Sequence, residues 1–144
     1  KRNIEDIPNG VKNKKRDLKN AFGDTYYEHR GGLEFSMTQI AELKKYAEDQ
    51  RLEFMCSVFD EKSALDILDI NCTHIKLPSQ LYTNDRIKKI LVDGKEKQAY
   101  KIVLSSGMHS YKEIVSNDWL SHVDILMHCV SIYPHYLKEM NLIS

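Results

Sequence analysis

Four short apolar runs, at residues 52–57, 73–77, 100–104 and 124–130, recur along this 144-residue chain with helical patterns between them. This alternation constrains the fold more than any other feature. Near-continuous apolar strands are covered on both faces, and a helical crossover between neighbours makes them parallel. The runs repeat at intervals of about 20 to 27 residues, which suits a barrel of the (β/α)8 type or an open doubly wound sheet. A whole (β/α)8 barrel takes about 250 residues. The expected fold is therefore α/β, a partial (β/α)8 TIM barrel of about four parallel strands and intervening helices over residues 33–144. Residues 1–32 read as an irregular N-terminal lead, with Pro8-Asn9-Gly10 as a turn and Gly31-Gly32 as a break.

The helices carry their own signals. Ser36 and Gln39 stand in capping-box spacing ahead of Met37, Ile40, Leu43, Tyr46 and Ala47, so a helix should run to about Gln50. Asp60 is placed to cap a helix bearing Ala64, Leu65, Ile67 and Leu68. Thr83 or Asn84 opens the next, with Ile87, Ile90 and Leu91 on one face and Gly94 as its expected stop. Ser110 with Glu113 predicts a short helix that ends near Asn117-Asp118, and Trp119 reads as a hydrophobic anchor.

Lys plus Arg equals Asp plus Glu at 21 each, so the balance gives no pull toward nucleic acid or an anionic membrane. The basic cluster Lys12, Lys14, Lys15, Arg16 and Lys19 reads as a solvated loop, with Tyr26, Tyr27 and His29 anchoring the lead to the body. Cys56, Cys72 and Cys129 lack CxxC spacing and lie in or beside apolar runs, as reduced, buried thiols of a cytoplasmic protein do. His122, His128 and His135 show no metal-ligand spacing, and His128 reads as a residue of core packing or of a barrel-interior hydrogen bond. No Gly-rich phosphate loop or nucleophile elbow is present.

Chemistry enters at the strand ends. Each run is followed by a hydroxyl: Ser57, Ser79, Ser105 with Ser106, and Ser131. In parallel β/α folds the strand C-termini share one end, where substrates bind. Lys76 interrupts the apolar run before Pro78 and Ser79. Its ammonium either meets an anion or lies with its stem along a helix and its head in water. Hydroxyls beside an ammonium suit a phosphate or carboxylate, since each oxygen needs a donor and the charge a counterion. The helix after Ser105-Ser106-Gly107 offers backbone N–H groups as further donors.

Taken together, four strings resemble the sialic acid (N-acetylneuraminate) synthase family. They are Phe54-Met55-Cys56-Ser57-Val58-Phe59-Asp60, Ile75-Lys76-Leu77-Pro78-Ser79, Ile102-Val103-Leu104-Ser105-Ser106-Gly107-Met108 and Leu126-Met127-His128-Cys129-Val130-Ser131-Ile132-Tyr133-Pro134. The resemblance implies an internal segment of a TIM-barrel domain, about strands three to six. The full-length enzyme would condense phosphoenolpyruvate with N-acetylmannosamine or a related N-acetylated hexosamine into a nonulosonic acid. Ser57, Lys76, Ser79, Ser105 and Ser131 fall at positions that hold phosphoenolpyruvate in that family, and Tyr133 where a tyrosine meets the acceptor sugar.

The resemblance further implies a divalent metal, manganese or magnesium, whose ligands are not in this chain, and a homodimer for the full-length protein. The family's catalytic glutamate and Lys-Phe-Gln motif would precede Lys1; its metal-binding histidines would follow Ser144. Leu81 stands where the family carries an acidic residue, and Ser57 and Ser131 where a threonine and an asparagine are common. The segment is expected to be inactive alone. The rival readings are a phosphate-binding aldolase barrel with a Schiff-base lysine, and a non-enzymatic interaction module with open sheet edges.

Overall fold

The computed structural model describes residues 1–15 and 21–132. Four strands, β1 (Met55–Ser57), β2 (His74–Leu77), β3 (Lys101–Ser105) and β4 (Ile125–Met127), form one sheet in the order β1-β2-β3-β4. All three neighbouring pairs are parallel. Sequence order equals spatial order, so the sheet has no topological switch point of the doubly wound kind. The chain forms four parallel strands of a partial TIM barrel.

Alternation along each strand divides the sheet into two faces. Cys56, Ile75 and Ile102 lie level on one face, with Leu77 and Leu104 a pleat further along. These side chains pack with Ile40 of α3 (Met37–Asp49), Ala64 and Ile67 of α4 (Glu61–Asp69), Ile87 and Leu91 of α5 (Asp85–Lys95) and Ile114 of α6 (Tyr111–Val115). Ile75, Leu77, Ile102 and Leu104 are wholly buried, each contributing about 1.5–3 kcal/mol of apolar transfer free energy. The opposite face carries Ser57, Lys76, Val103 and Ile125 in register, with Ser105 and Met127 one pleat beyond. β4 is the sheet edge, and Ile125, Leu126 and Met127 are all exposed.

The predicted caps form because their partners are three residues away in sequence. Ser36 and Gln39 make a reciprocal capping box on α3, as do Ser110 and Glu113 on α6. Asp60 caps α4 through the Ser63 N–H (2.7 Å), and Asn84 caps α5 through the Ile87 N–H (3.1 Å). Gly94 lies inside α5 rather than ending it. A Cβ there would meet the Tyr100 hydroxyl at 2.6 Å and Leu68 at 3.0 Å, so its role is close approach. Trp119 packs partly buried against the core, as an anchor should.

The lead is more ordered than its sequence suggests. After a 3-10 turn at Ile4–Asp6 and the short α1 (Asn9–Lys12), helix α2 spans Tyr26–Leu33 and takes in both Gly31 and Gly32. A reciprocal capping box of Thr25 and Glu28 starts this helix, which is the local signal that outweighs two glycines. The lead is tied down: the Tyr27 hydroxyl donates to Glu5 (2.6 Å), the Phe59 N–H to the Lys1 carbonyl (3.1 Å), and the Asn3 N–H to Asp60 (2.5 Å). Arg16, Lys19, Tyr133 and Pro134 lie outside the described residues.

Candidate anion-binding site

Ser57, Lys76, Ser79, Ser105 and Ser131 fall at the C-terminal edge of the sheet or in the loops that follow it. Ser57 is the last residue of β1 and sits level with Lys76 of β2; Ser105 ends β3 on the same face. Lys76 thus occupies the face away from the helices, flanked by the fully buried Ile75 and Leu77 that point the other way. It is half-buried, and among the described residues its ammonium has no hydrogen-bond or ion-pair partner. Ser105 is buried, at 5% exposure.

Ser79 and Ser131 form a second group. Both approach Gly107 in the turn after β3: a Cβ added there would lie 2.5 Å from the Ser131 Oγ, 3.3 Å from the Ser79 Oγ and 3.5 Å from the Cys129 Cβ. Two hydroxyls from separate strand ends therefore converge on one buried glycine. Gly107 has no left-handed φ. Its lack of a side chain serves to leave space between the hydroxyls. Tyr133, the predicted acceptor contact, lies outside the described residues.

Two further side chains build this turn. The Ser106 Oγ accepts from the Cys129 N–H (3.1 Å), and the His109 Nε2 meets the Ser79 carbonyl at 2.9 Å. A carbonyl only accepts, so His109 carries its proton on Nε2. Its ring stands 4.6 Å from that of Tyr82, whose hydroxyl donates to the carbonyls of Glu113 and Ile114. Burial pushes the Tyr82 hydroxyl above its ordinary range and keeps it a donor. Sequence reasoning missed His109, because its partner lies 30 residues away; the local hint is Gly107, two residues before it.

Other expectations change. At the start of the short helix α6 two N–H groups are already engaged, that of Glu113 by the Ser110 hydroxyl and that of Ser110 by the Glu113 carboxylate. His128 is exposed rather than packed in the core, since it follows the edge strand. Cys56 and Cys72 are buried free thiols, while Cys129 is only half-buried beside Gly107. Burial pushes the Cys72 thiol up and leaves it protonated and inert. Among the described residues no three His, Cys, Asp or Glu side chains gather as a metal site requires. No helix among them is long and apolar enough to cross a membrane.

Comparison with known proteins places this geometry. N-acetylneuraminate-9-phosphate synthase of Homo sapiens is 31% identical over 130 residues, covering 86% of this chain and 34% of that protein. The Drosophila melanogaster protein of the same name is 32% identical over 127 residues, covering 85% and 33%. N,N'-diacetyllegionaminic acid synthase of Legionella pneumophila is 29% identical over 127 residues, covering 82% and 35%. The chain spans about a third of the length of these relatives. In structure it matches a spore coat polysaccharide biosynthesis protein E of Chromobacterium violaceum with a TM-score of 0.74 at 20% identity, over 97% of this chain and 40% of that one, a likeness of fold. The model of the NeuB family matches residues 3–144, and the chain belongs to that family.

Proposed function

We propose that this chain supplies the phosphoenolpyruvate-holding part of a synthase that joins phosphoenolpyruvate to an N-acetylated hexosamine, such as N-acetylmannosamine, to give a nonulosonic acid. The observation that carries the reading is the pair of hydroxyls, Ser79 and Ser131, meeting across Gly107 at the edge where Lys76 stands without an anionic partner among the described residues. Two classes of oxygen on phosphoenolpyruvate need donors, phosphate and carboxylate, and hydroxyls on separate loops suit both. In this reading Lys76 neutralises charge, while Ser79 and Ser131 orient one group and Ser57 and Ser105 line the approach from below. Holding both groups fixes the enol carbon for attack, which is catalysis by orientation. Tyr133 would meet the acceptor sugar.

In this reading a manganese or magnesium ion in the full-length enzyme would polarise the sugar carbonyl. Among the described residues no His, Cys, Asp and Glu cluster stands ready for such an ion, and the role proposed for this chain is binding and orientation. The chain alone is then expected to bind phosphoenolpyruvate and to form no product. Calorimetric titration tests the first half, with Lys76→Met as the control that should weaken binding. Trapping of an aldehyde at Lys76 by borohydride would instead mark a Schiff-base aldolase and defeat the proposal.

A further inference from the structure

The turn after β3 grips both of its neighbours. On one side the Ser106 N–H donates to the Met127 carbonyl (2.9 Å), and its hydroxyl accepts from the Cys129 N–H (3.1 Å), two bonds to the segment that leads into Ser131. On the other side the His109 Nε2 donates to the carbonyl of Ser79 itself (2.9 Å). The His109 ring is held in turn by Tyr82, whose hydroxyl bonds to the last turn of α6. Gly107 sits between these two grips, with the Ser131 and Ser79 hydroxyls over it.

We propose that Ser106 and His109 are positioning residues, a two-armed clamp through which the β3 turn sets the gap between the Ser79 and Ser131 hydroxyls. The clamp fixes how an oxyanion of the phosphate or carboxylate class fits, and neither residue needs to touch it. This rests on the anion reading of the site given above. The choice of side chains follows from geometry. Position 106 needs a short acceptor for an amide one strand away, and position 109 needs a flat donor that both lies tilted against a phenol ring and reaches a carbonyl. Threonine keeps the first function and glutamine the second, since its amide N–H takes the place of Nε2–H.

The test titrates phosphoenolpyruvate into the 144-residue chain and into Ser106→Ala, Ser106→Thr, His109→Ala and His109→Gln, with amide hydrogen exchange read at Cys129. Each alanine variant should weaken binding roughly 3- to 10-fold, the worth of one hydrogen bond, and each conservative variant should recover most of that loss. Cys129 exchange should rise in Ser106→Ala and stay unchanged in His109→Ala. Alanine variants that bind like the parent chain, while Cys129 exchange still rises, overturn the clamp and leave a structural role only. A parent chain that ignores phosphoenolpyruvate overturns the anion reading itself, a different result. If Ser106→Ala does not fold, the His109 pair decides.

Discussion

Gly107→Ala isolates the site from the fold. The added methyl would sit 2.5 Å from the Ser131 Oγ, closer than side-chain atoms come, and 3.3 Å from the Ser79 Oγ, a tight contact that a small shift relieves. Gly107 does not need a left-handed backbone, so alanine fits its conformation and the conflict is confined to the two hydroxyls. Ser131 is exposed and can swing away, which keeps the stability cost near 1 kcal/mol, or about 2–4 °C in Tm for a chain of this size. Its displacement removes one hydrogen bond to a charged ligand, about 1.5–3 kcal/mol, so affinity for phosphoenolpyruvate should fall about 10- to 150-fold. Calorimetric titration beside a thermal melt measures both quantities on one sample. Binding within about twofold of the parent chain would refute the claim that these hydroxyls seat the anion.

Lys76→Met should lower phosphoenolpyruvate affinity about tenfold or more and flatten its dependence on salt, with no loss of thermal stability, because the ammonium has no partner among the described residues to orphan. Leu104→Ala should cost about 2–5 kcal/mol in urea unfolding, since the side chain is wholly buried between sheet and helices. Asp60→Ala should cost about 1–2 kcal/mol, because one carboxylate caps α4 and also holds the Asn3 N–H. Burial pushes the Tyr100 hydroxyl up to about 12, with Asp124 and Asp93 adding to it. The unfolded phenol ionises near 10, so stability should be full below about pH 10 and decline as pH rises toward 12. A urea titration series that stays level across that window, or a decline that persists in Tyr100→Phe, would contradict this.

What the sequence disclosed was local. The boxes at Ser36 and Ser110 and the cap at Asp60 could be read off because donor and acceptor lie within one helical turn. The same pattern at Thr25 and Glu28 was equally present, yet the glycine pair at Gly31-Gly32 drew the eye to a break instead. Gly94 misled for a related reason: a glycine near a helix end suggests a stop, whereas here it makes room for Tyr100, a contact that no window of sequence contains. The site divides along the same line. Lys76 is legible as the charge that interrupts an apolar run and Ser105 as a hydroxyl at a strand end, and the strand register puts them on one face. The grip of His109 on Ser79 was not, because it joins two loops whose proximity exists only once the strands are paired.

Register ties the interior to the surface. In β3, Leu104 faces the helices and Ser105 the opposite side, so a single-residue insertion within this strand would send leucine toward the proposed anion site and serine into the core at one stroke. Lengthening the connections at the far end of the sheet, around Asn71 or Gln98, moves neither. Descendants of such a chain are therefore free to vary in length where the helices hand over to the strands. They are held to a fixed count from Lys101 to Gly107, the span in which one lost residue would disturb the packing and the proposed site together.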